Sequence, residues 1–331
     1  APELGKQALR VRSIGQRISE EVGGRGVHPI TCVAGGMASG ISEDSRKLLL
    51  SMAEEAITLT QTIVAAGRDA LTKQDDVLRS FHQPVHDMAT VRDGVLDCYD
   101  GVIRIRDPQG KTVRDIQASE YRDVMVEEAL PYSYAKQVVM RSSGTSTVPY
   151  RVGPLARLNC ADSIDTPLAA AELKIFRERW GTPCHFTAAQ HHARLVELLH
   201  HAEKALQILK NDAIMSADLR NFSRGTPRRG IAHVEAPRGI LIHDFDVDSN
   251  ANVKAANLLV ATQHNIAVIN ETVKLAADKF LTASDSMLTN GVEFAIRCWD
   301  PCLSCSTHAV GQMPLEVLIS HHGTTLRRIV R

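Results

Sequence analysis

Aromatic residues are scarce. Trp, Tyr and Phe together make 4% of the 331 residues, against 44% hydrophobic overall. A core so composed is filled mainly by Leu, Ile, Val and Ala, which suits packed helices. Net charge is missing as well: Lys and Arg number 38, and so do Asp and Glu. No field of one sign therefore draws the chain to nucleic acid or to an acidic membrane surface. No run of about 18 apolar residues argues for a membrane-spanning helix, and no charged-then-apolar leader opens the sequence. Ala1-Pro2-Glu3-Leu4 lacks a Met and reads as an internal fragment or a processed end. The seven cysteines are odd in number and scattered. That argues against a secreted disulfide framework and for reduced thiols in a cytoplasm.

What is present has helical periodicity over most of the length. Glu3 to Val22 reads as a helix stopped by Gly23-Gly24. A loop from His28 to Gly40 leads to Ser42, the expected N-cap of a long helix through Leu71, with Leu48, Met52, Ala56, Leu59 and Ile63 on its apolar face. Between Asp93 and Ile116 the period changes to two, with turns at Asp100-Gly101 and Asp107-Pro108-Gln109-Gly110, which predicts a small antiparallel meander. Tyr132 to Asn159 is rich in breakers and reads as structured loop. Helices are expected over Thr166 to Trp180, Thr187 to Asn211, Ala255 to Leu281 with an interruption near Thr262-Gln263, and Ser286 to Arg297. Two short strands flank Ala236-Pro237-Arg238-Gly239.

The motif richest in chemistry is Asp300-Pro301-Cys302-Leu303-Ser304-Cys305-Ser306-Thr307-His308. Two thiols three residues apart, with a His three further on, converge on one metal if the backbone turns sharply, and Pro301 helps that turn. Soft thiolates select zinc, copper(I), iron-sulfur clusters or nickel over hard cations. A C-x-x-C alone also serves redox pairs and half zinc sites, so spacing leaves those readings open.

The whole Asp-Pro-Cys-x-x-Cys-x-x-His segment resembles the C-terminal metal motif of nickel-iron hydrogenase large subunits. Four further segments look like the same family in the same order: Arg151-Val152-Gly153-Pro154-Leu155, Val234 to Gly239, Ala256 to Thr262, and Gly311 to Leu315. Their likeness is nearest to the NAD-linked bidirectional branch. The resemblance implies an α+β, helix-bundle-dominated large-subunit-like fold with a small antiparallel meander. It implies a nickel-iron centre with cyanide and carbon monoxide on iron, and a magnesium ion. Cys302 matches the terminal nickel ligand and Cys305 the thiolate bridging nickel and iron. Arg238 matches the guanidinium over the metal pair, Thr262 the hydroxyl that donates to a cyanide, and Pro237 a wall of the cavity. His308 matches the residue that becomes the C-terminus and binds magnesium, to which the Leu258 carbonyl also contributes.

The same resemblance implies an iron-sulfur small subunit, flavin-containing NAD-reducing diaphorase subunits, a maturation chaperone and a C-terminal endopeptidase as partners, and a cytoplasmic setting. It divides the chain into 1–308, the C-terminal portion of a large subunit, and 309–331, a peptide normally removed on maturation. One departure is that the family's first two thiolates, from an Arg-x-Cys-Gly-x-Cys motif, have no counterpart here. The expectation is that the chain does not complete the metal site alone. A silent, scaffold-like relative, similar to the quinone-site subunit of respiratory complex I, is the competing reading, against which Cys302 and Cys305 speak.

Two other clusters invite a metal, but the histidines are better read as solvated or packing residues and the aspartates as a solvated turn. His191-His192 and His200-His201 sit on one predicted helix, where adjacent residues face different ways. Asp244, Asp246 and Asp248 alternate like a calcium loop but lack the glycine that such a loop needs at its sixth position.

Overall fold

The computed structural model describes residues 2–133, 135–222, 228–302, 316–321 and 324–330. The chain divides into two compact units, Ala1–Gln74, Ile164–Phe176 and Arg194–Pro227 in one, and Asp75–Ser163, Arg177–Ala193 and Arg228–Arg331 in the other. Helix and strand are mixed, at 48% and 25%, as expected.

The first unit opens with α1 (Pro2–Gly23), the short hairpin β1 (Cys32–Val33) and β2 (Gly36–Met37), and α2 (Glu43–Thr72). Ser42 caps α2, its Oγ accepting from Ser45 N at 3.0 Å, while Glu43 and Asp44 complement the positive end of the helix dipole. Leu49 and Ala53 pack with Leu209 in this unit's core. The buried line is Leu49, Ala53, Ala56, Thr60 and Val64, rotated from the expected face; Leu48 is 41% exposed. A helix apolar on most sides defines its inner face poorly, and one residue of error is about 100°. This helix is also long and apolar enough to cross a bilayer, but its apolar side chains are partly committed to packing within the unit.

The second unit begins with α3 (Asp75–Leu78), β3 (His86–Arg92), β4 (Val95–Leu96), β5 (Val102–Arg106) and β6 (Thr112–Ile116). The expected meander is therefore real, and β3 joins it. On β5, Ile103 and Ile105 point into the core, and Arg104 pairs outward with Asp115 at 3.1 Å, the alternation that a half-buried strand requires. Next come α4 (Tyr121–Val124), β7 (Met125–Glu128), β8 (Gln137–Arg141), β9 (Thr147–Val148), β10 (Tyr150–Arg151) and α5 (Pro154–Cys160). The expected loop over 132–159 is thus mostly built structure. β10 runs parallel to β3, a pairing between residues some 64 apart that leaves no local trace. Every residue of α5 is buried, so no amphipathic stripe marks it.

Helices α6 (Pro167–Trp180) and α7 (Gln190–Lys210) contribute residues to each unit. The remainder is β11 (Arg229–Ala236), β12 (Gly239–Val247), β13 (Val253–Leu259), α8 (Ala261–Phe280), α9 (Asp285–Trp299), β14 (Glu316–His321) and β15 (Thr324–Val330). The strands flanking Pro237-Arg238 are as expected. The expected helix from Ala255 is not: residues 253–259 form an edge strand paired with β12, and Thr262-Gln263 opens α8 rather than interrupting it. Cross-strand pairing overrides the helix preference of Ala255, Ala256 and Leu258. Ser284 caps α9, and α8 and α9 pack together over Phe81, Ala276, Leu288 and Val292.

Candidate metal centre

Helix α9 ends in a buried polar lock. Trp299 Nε1 donates to Thr272 Oγ1 on α8 at 2.8 Å, Thr272 donates to Gln83 Oε1 at 2.7 Å, and Thr187 Oγ1 donates to the same oxygen at 2.6 Å. Asp300 then takes a left-handed conformation, φ 50 and ψ 50, which turns the chain out of the helix. Pro301 and Cys302 follow from this fixed exit. The Cys302 amide donates to Thr262 Oγ1 at 3.2 Å, and Thr262 is buried in the first turn of α8.

Arg238 arrives from the other side. Ala236 pairs with Gly239, so Pro237 and Arg238 are the two residues of a tight turn. Arg238 Nε donates to the Asp300 carbonyl, and its Nη2 lies 3.2 Å from Asp300 Oδ2. Close approach of backbones sets this placement. Gly239 has φ 134, and a Cβ there would sit 2.2 Å from Val152 Cγ2; Gly153 has φ 96, and a Cβ there would sit 2.7 Å from the Arg238 carbonyl. Glycine alone tolerates both conditions.

Beneath the turn lie fully buried charges, each with a partner. Arg157 Nη1 meets Glu235 Oε2 at 2.8 Å, and Arg151 Nε meets Asp87 Oδ1 at 2.7 Å. Burial pushes the Glu235 carboxyl up, opposed by Arg157 and by the Thr90 amide. His264, wholly enclosed with its Nδ1 on the Tyr150 hydroxyl, is pushed down to about 4 by burial, and Tyr150 is raised by the same cause. Burial also raises Cys184 to about 11 and pushes Cys160 well above the ordinary thiol value. Thiols held protonated make poor metal ligands, which separates these two from the half-exposed Cys302.

Of the expected site residues, Arg238, Thr262 and Cys302 converge around Asp300. Pro237 is exposed in the turn. Leu258 lies on β13 opposite His243 with 42% of its surface exposed. Cys305 and His308 lie outside the described residues. Among the described residues, no group of three or more His, Cys, Asp or Glu is disposed to hold a metal. The sequence reading missed Arg157 and Asn265, both of which hold the Arg238 turn. Arg157 stands three residues after Pro154 and Asn265 three after Thr262, spacings that put each near a residue already singled out.

His192 and His200 resolve as packing residues, whereas the expected solvated turn holds only for Asp248, because Asp244 is buried on β12. His192 accepts from Trp180 Nε1 at 3.0 Å, and His200 Nδ1 meets Thr166 Oγ1 at 2.9 Å, both deeply buried. Asp244 receives Arg229, Tyr121 and Arg122 at 2.7 to 2.9 Å, contacts that hold its carboxyl below the usual range. Asp248 accepts the amides of Asn250 and Asn252 in its own turn.

Comparisons with known proteins identify the family. A family model described as nickel-dependent hydrogenase matches residues 106–308. The vhc F420-non-reducing hydrogenase chain of Methanococcus voltae is 32% identical, over 96% of this chain and 69% of its own length. The NAD-reducing hydrogenase HoxS subunit beta of Cupriavidus necator is 33% identical, over 96% and 68%. The crystal structure of an NAD+-reducing [NiFe]-hydrogenase in the H2-reduced state superposes with a TM-score of 0.88 at 35% identity, over 93% of this chain and 69% of that one. The chain belongs to the nickel-dependent hydrogenase large-subunit family.

Membership implies a nickel-iron centre, and the described residues fit part of one. Cys302 offers a half-exposed thiol, Arg238 a cation held on Asp300, two residues before it, and Thr262 a hydroxyl on the Cys302 amide. One thiol cannot hold such a centre alone.

Proposed function

We propose that this chain carries the nickel-iron centre of a hydrogenase that reversibly interconverts dihydrogen with protons and electrons, working in the cytoplasm. The observation that carries the reading is the convergence of the Cys302 amide on Thr262 with the Arg238 guanidinium on Asp300. Cys302 and Cys305 would hold the metals. His308 and the Leu258 carbonyl would hold magnesium. Pro237 would wall the cavity. When bound, a nickel-iron centre with cyanide and carbon monoxide on iron supplies the Lewis acidity and electron storage that heterolytic splitting of dihydrogen needs.

The chain's own residues supply the rest. The Cys302 sulfur would take a proton, and Arg238 would offer a positive charge to the anionic ligands of the iron. A Thr262 hydroxyl that accepts from Cys302 N keeps its own proton to donate. Nickel and iron in the assembled enzyme that supplies the remaining thiolates, lost together in Cys302→Ser, are the expected result; nickel retained in that variant would show the site to be elsewhere.

Electrons would pass through an iron-sulfur small subunit to flavin-containing NAD-reducing subunits. HoxS subunit beta and the H2-reduced structure support that acceptor. F420-non-reducing relatives match at similar identity, so the acceptor is tested directly: hydrogen-dependent NAD reduction by the assembled enzyme is expected. Reduction of a viologen dye without NAD would remove the NAD-linked assignment.

Residues 309–331 would be a peptide removed on maturation, with a chaperone attending the precursor. The β14 and β15 hairpin packs Val317, Ile319 and Ile329 against the α8 and α9 core, and Arg327 pairs with Asp285. Such anchoring would hold the tail apart from the metal site until it is cut. Nickel and the cognate endopeptidase should remove about 2.5 kDa, at roughly 110 Da per residue; an unchanged mass would count against it.

A further inference from the structure

Three successive carbonyls of the turn that carries Arg238 are held by buried side chains. Arg157, 2% exposed, directs Nη1 to Glu235 Oε2 at 2.8 Å and to the Ala236 carbonyl at 3.0 Å. Its Nη2 donates to the Pro237 carbonyl at 3.0 Å. Asn265, 3% exposed, accepts from Val152 N at 2.9 Å and directs Nδ2 to the Val152 carbonyl at 3.3 Å and the Arg238 carbonyl at 3.4 Å. Hairpin turns ordinarily leave such carbonyls to solvent. Here they face side chains of α5 and α8.

The side chain above this turn is much less constrained. The Arg238 side chain is one third exposed, and its polar contacts with the described residues are both to Asp300. Its position is therefore governed by the main chain from which it springs. That main chain can move little, because the Val152-Gly153 and Arg238-Gly239 backbones approach too closely for a Cβ on either glycine.

We infer that Arg157 and Asn265 are positioning residues, which set the place of the Arg238 guanidinium relative to Cys302 by pinning the turn beneath it. Helix α8 is the common frame. Thr262 holds the Cys302 amide, and Asn265, three residues on and so on the same side of the helix, holds the Val152 and Arg238 backbone. One helical turn thus spaces the thiol from the cation. The inference rests on the reading that Arg238 works at the metal centre.

A purely structural role makes a different prediction. Arg157→Lys keeps a positive charge for Glu235 but loses the planar fork that reaches two carbonyls at once. Asn265→Ala leaves every buried charge paired. The full chain labelled with 15N-arginine reports Arg238 directly, through water exchange of its Nε–H, with the resonance assigned by its absence in Arg238→Lys. Arg157→Lys and Asn265→Ala should each accelerate that exchange by about tenfold or more, as local opening becomes easier. Asp244→Ala, which removes a buried carboxylate five residues along β12, should lower the thermal midpoint without this effect.

Exchange within about twofold of the parent in both variants would overturn the inference, as would equal acceleration in Asp244→Ala. Should Arg157→Lys not fold, Asn265→Ala and Asn265→Ser carry the same comparison. In the assembled, nickel-loaded enzyme the positioning variants should lose turnover in proportion to the exchange effect. A freed guanidinium with turnover intact would sink the metal-centre role of Arg238 and leave its positioning established.

Discussion

Arg238 and Arg151 show how differently two arginines of one unit are used. Arg238 pairs with an Asp300 whose side chain is half exposed, a setting in which ion pairs contribute little to stability. Arg238→Lys should therefore unfold in denaturant within about 0.5 kcal/mol of the parent. If the guanidinium stabilises charge at the metals, hydrogen turnover should fall by about a hundredfold or more. Arg151 and Asp87 are wholly enclosed, so Asp87→Ala strands a buried cation and should cost about 3–5 kcal/mol. A stability loss on Arg238→Lys as large as that on Asp87→Ala would mean that Arg238 serves the fold instead. Among the thiols, burial makes the contrast: Cys160 and Cys184 are buried and held protonated, and Cys302 is half-exposed.

At the scale of elements, the decisive feature is a pair of glycine turns pressed together. Gly239→Ala would drive a Cβ to 2.2 Å from Val152 Cγ2 and to 3.0 Å from Gly153 N, at φ 134. Such a substitution should cost about 2–4 kcal/mol, read as a fall in thermal midpoint. A midpoint unchanged in Gly239→Ala would show that the two turns can separate. Elements with one wet face were legible in the sequence: α1, α2, α9 and the β5 and β6 meander announced themselves through period and caps. Elements buried on all sides were not. α5 shows no stripe because Pro154 through Cys160 are all enclosed, and β13 reads as helix because its residues favour helix until β12 pairs with them.

At the scale of the whole molecule, acid should be destabilising. His200 and His264 are both pushed down to about 4 by burial, below the value of about 6.5 for an unfolded histidine. The unfolded chain therefore binds more protons between those values, and the stability present above about pH 6.5 is lost as pH falls through 4. Each histidine contributes a slope approaching about 1.4 kcal/mol per pH unit. Glu235, raised by burial, works in the opposite direction at the acid end of this window. Denaturant midpoints from pH 7 to pH 4 should fall, and less steeply in His200→Gln. An identical slope in that variant would show that His200 does not titrate with unfolding.

By itself the sequence determined the chemistry on offer: a thiol pair after Asp300-Pro301, an arginine in a Pro237 to Gly239 turn, and a hydroxyl at Thr262, in the order of a hydrogenase large subunit. It could do so because soft ligands, tight-turn residues and helix caps are local properties. Tertiary structure alone decided which of them meet. Cys302, Thr262 and Arg238 are distant in the chain and come together only because α8 touches both the exit from α9 and the turn between β11 and β12. The buried clamps that hold the turn, Arg157 and Asn265, carry no local mark of that duty, since a carbonyl three segments away leaves no pattern in the residues that bind it.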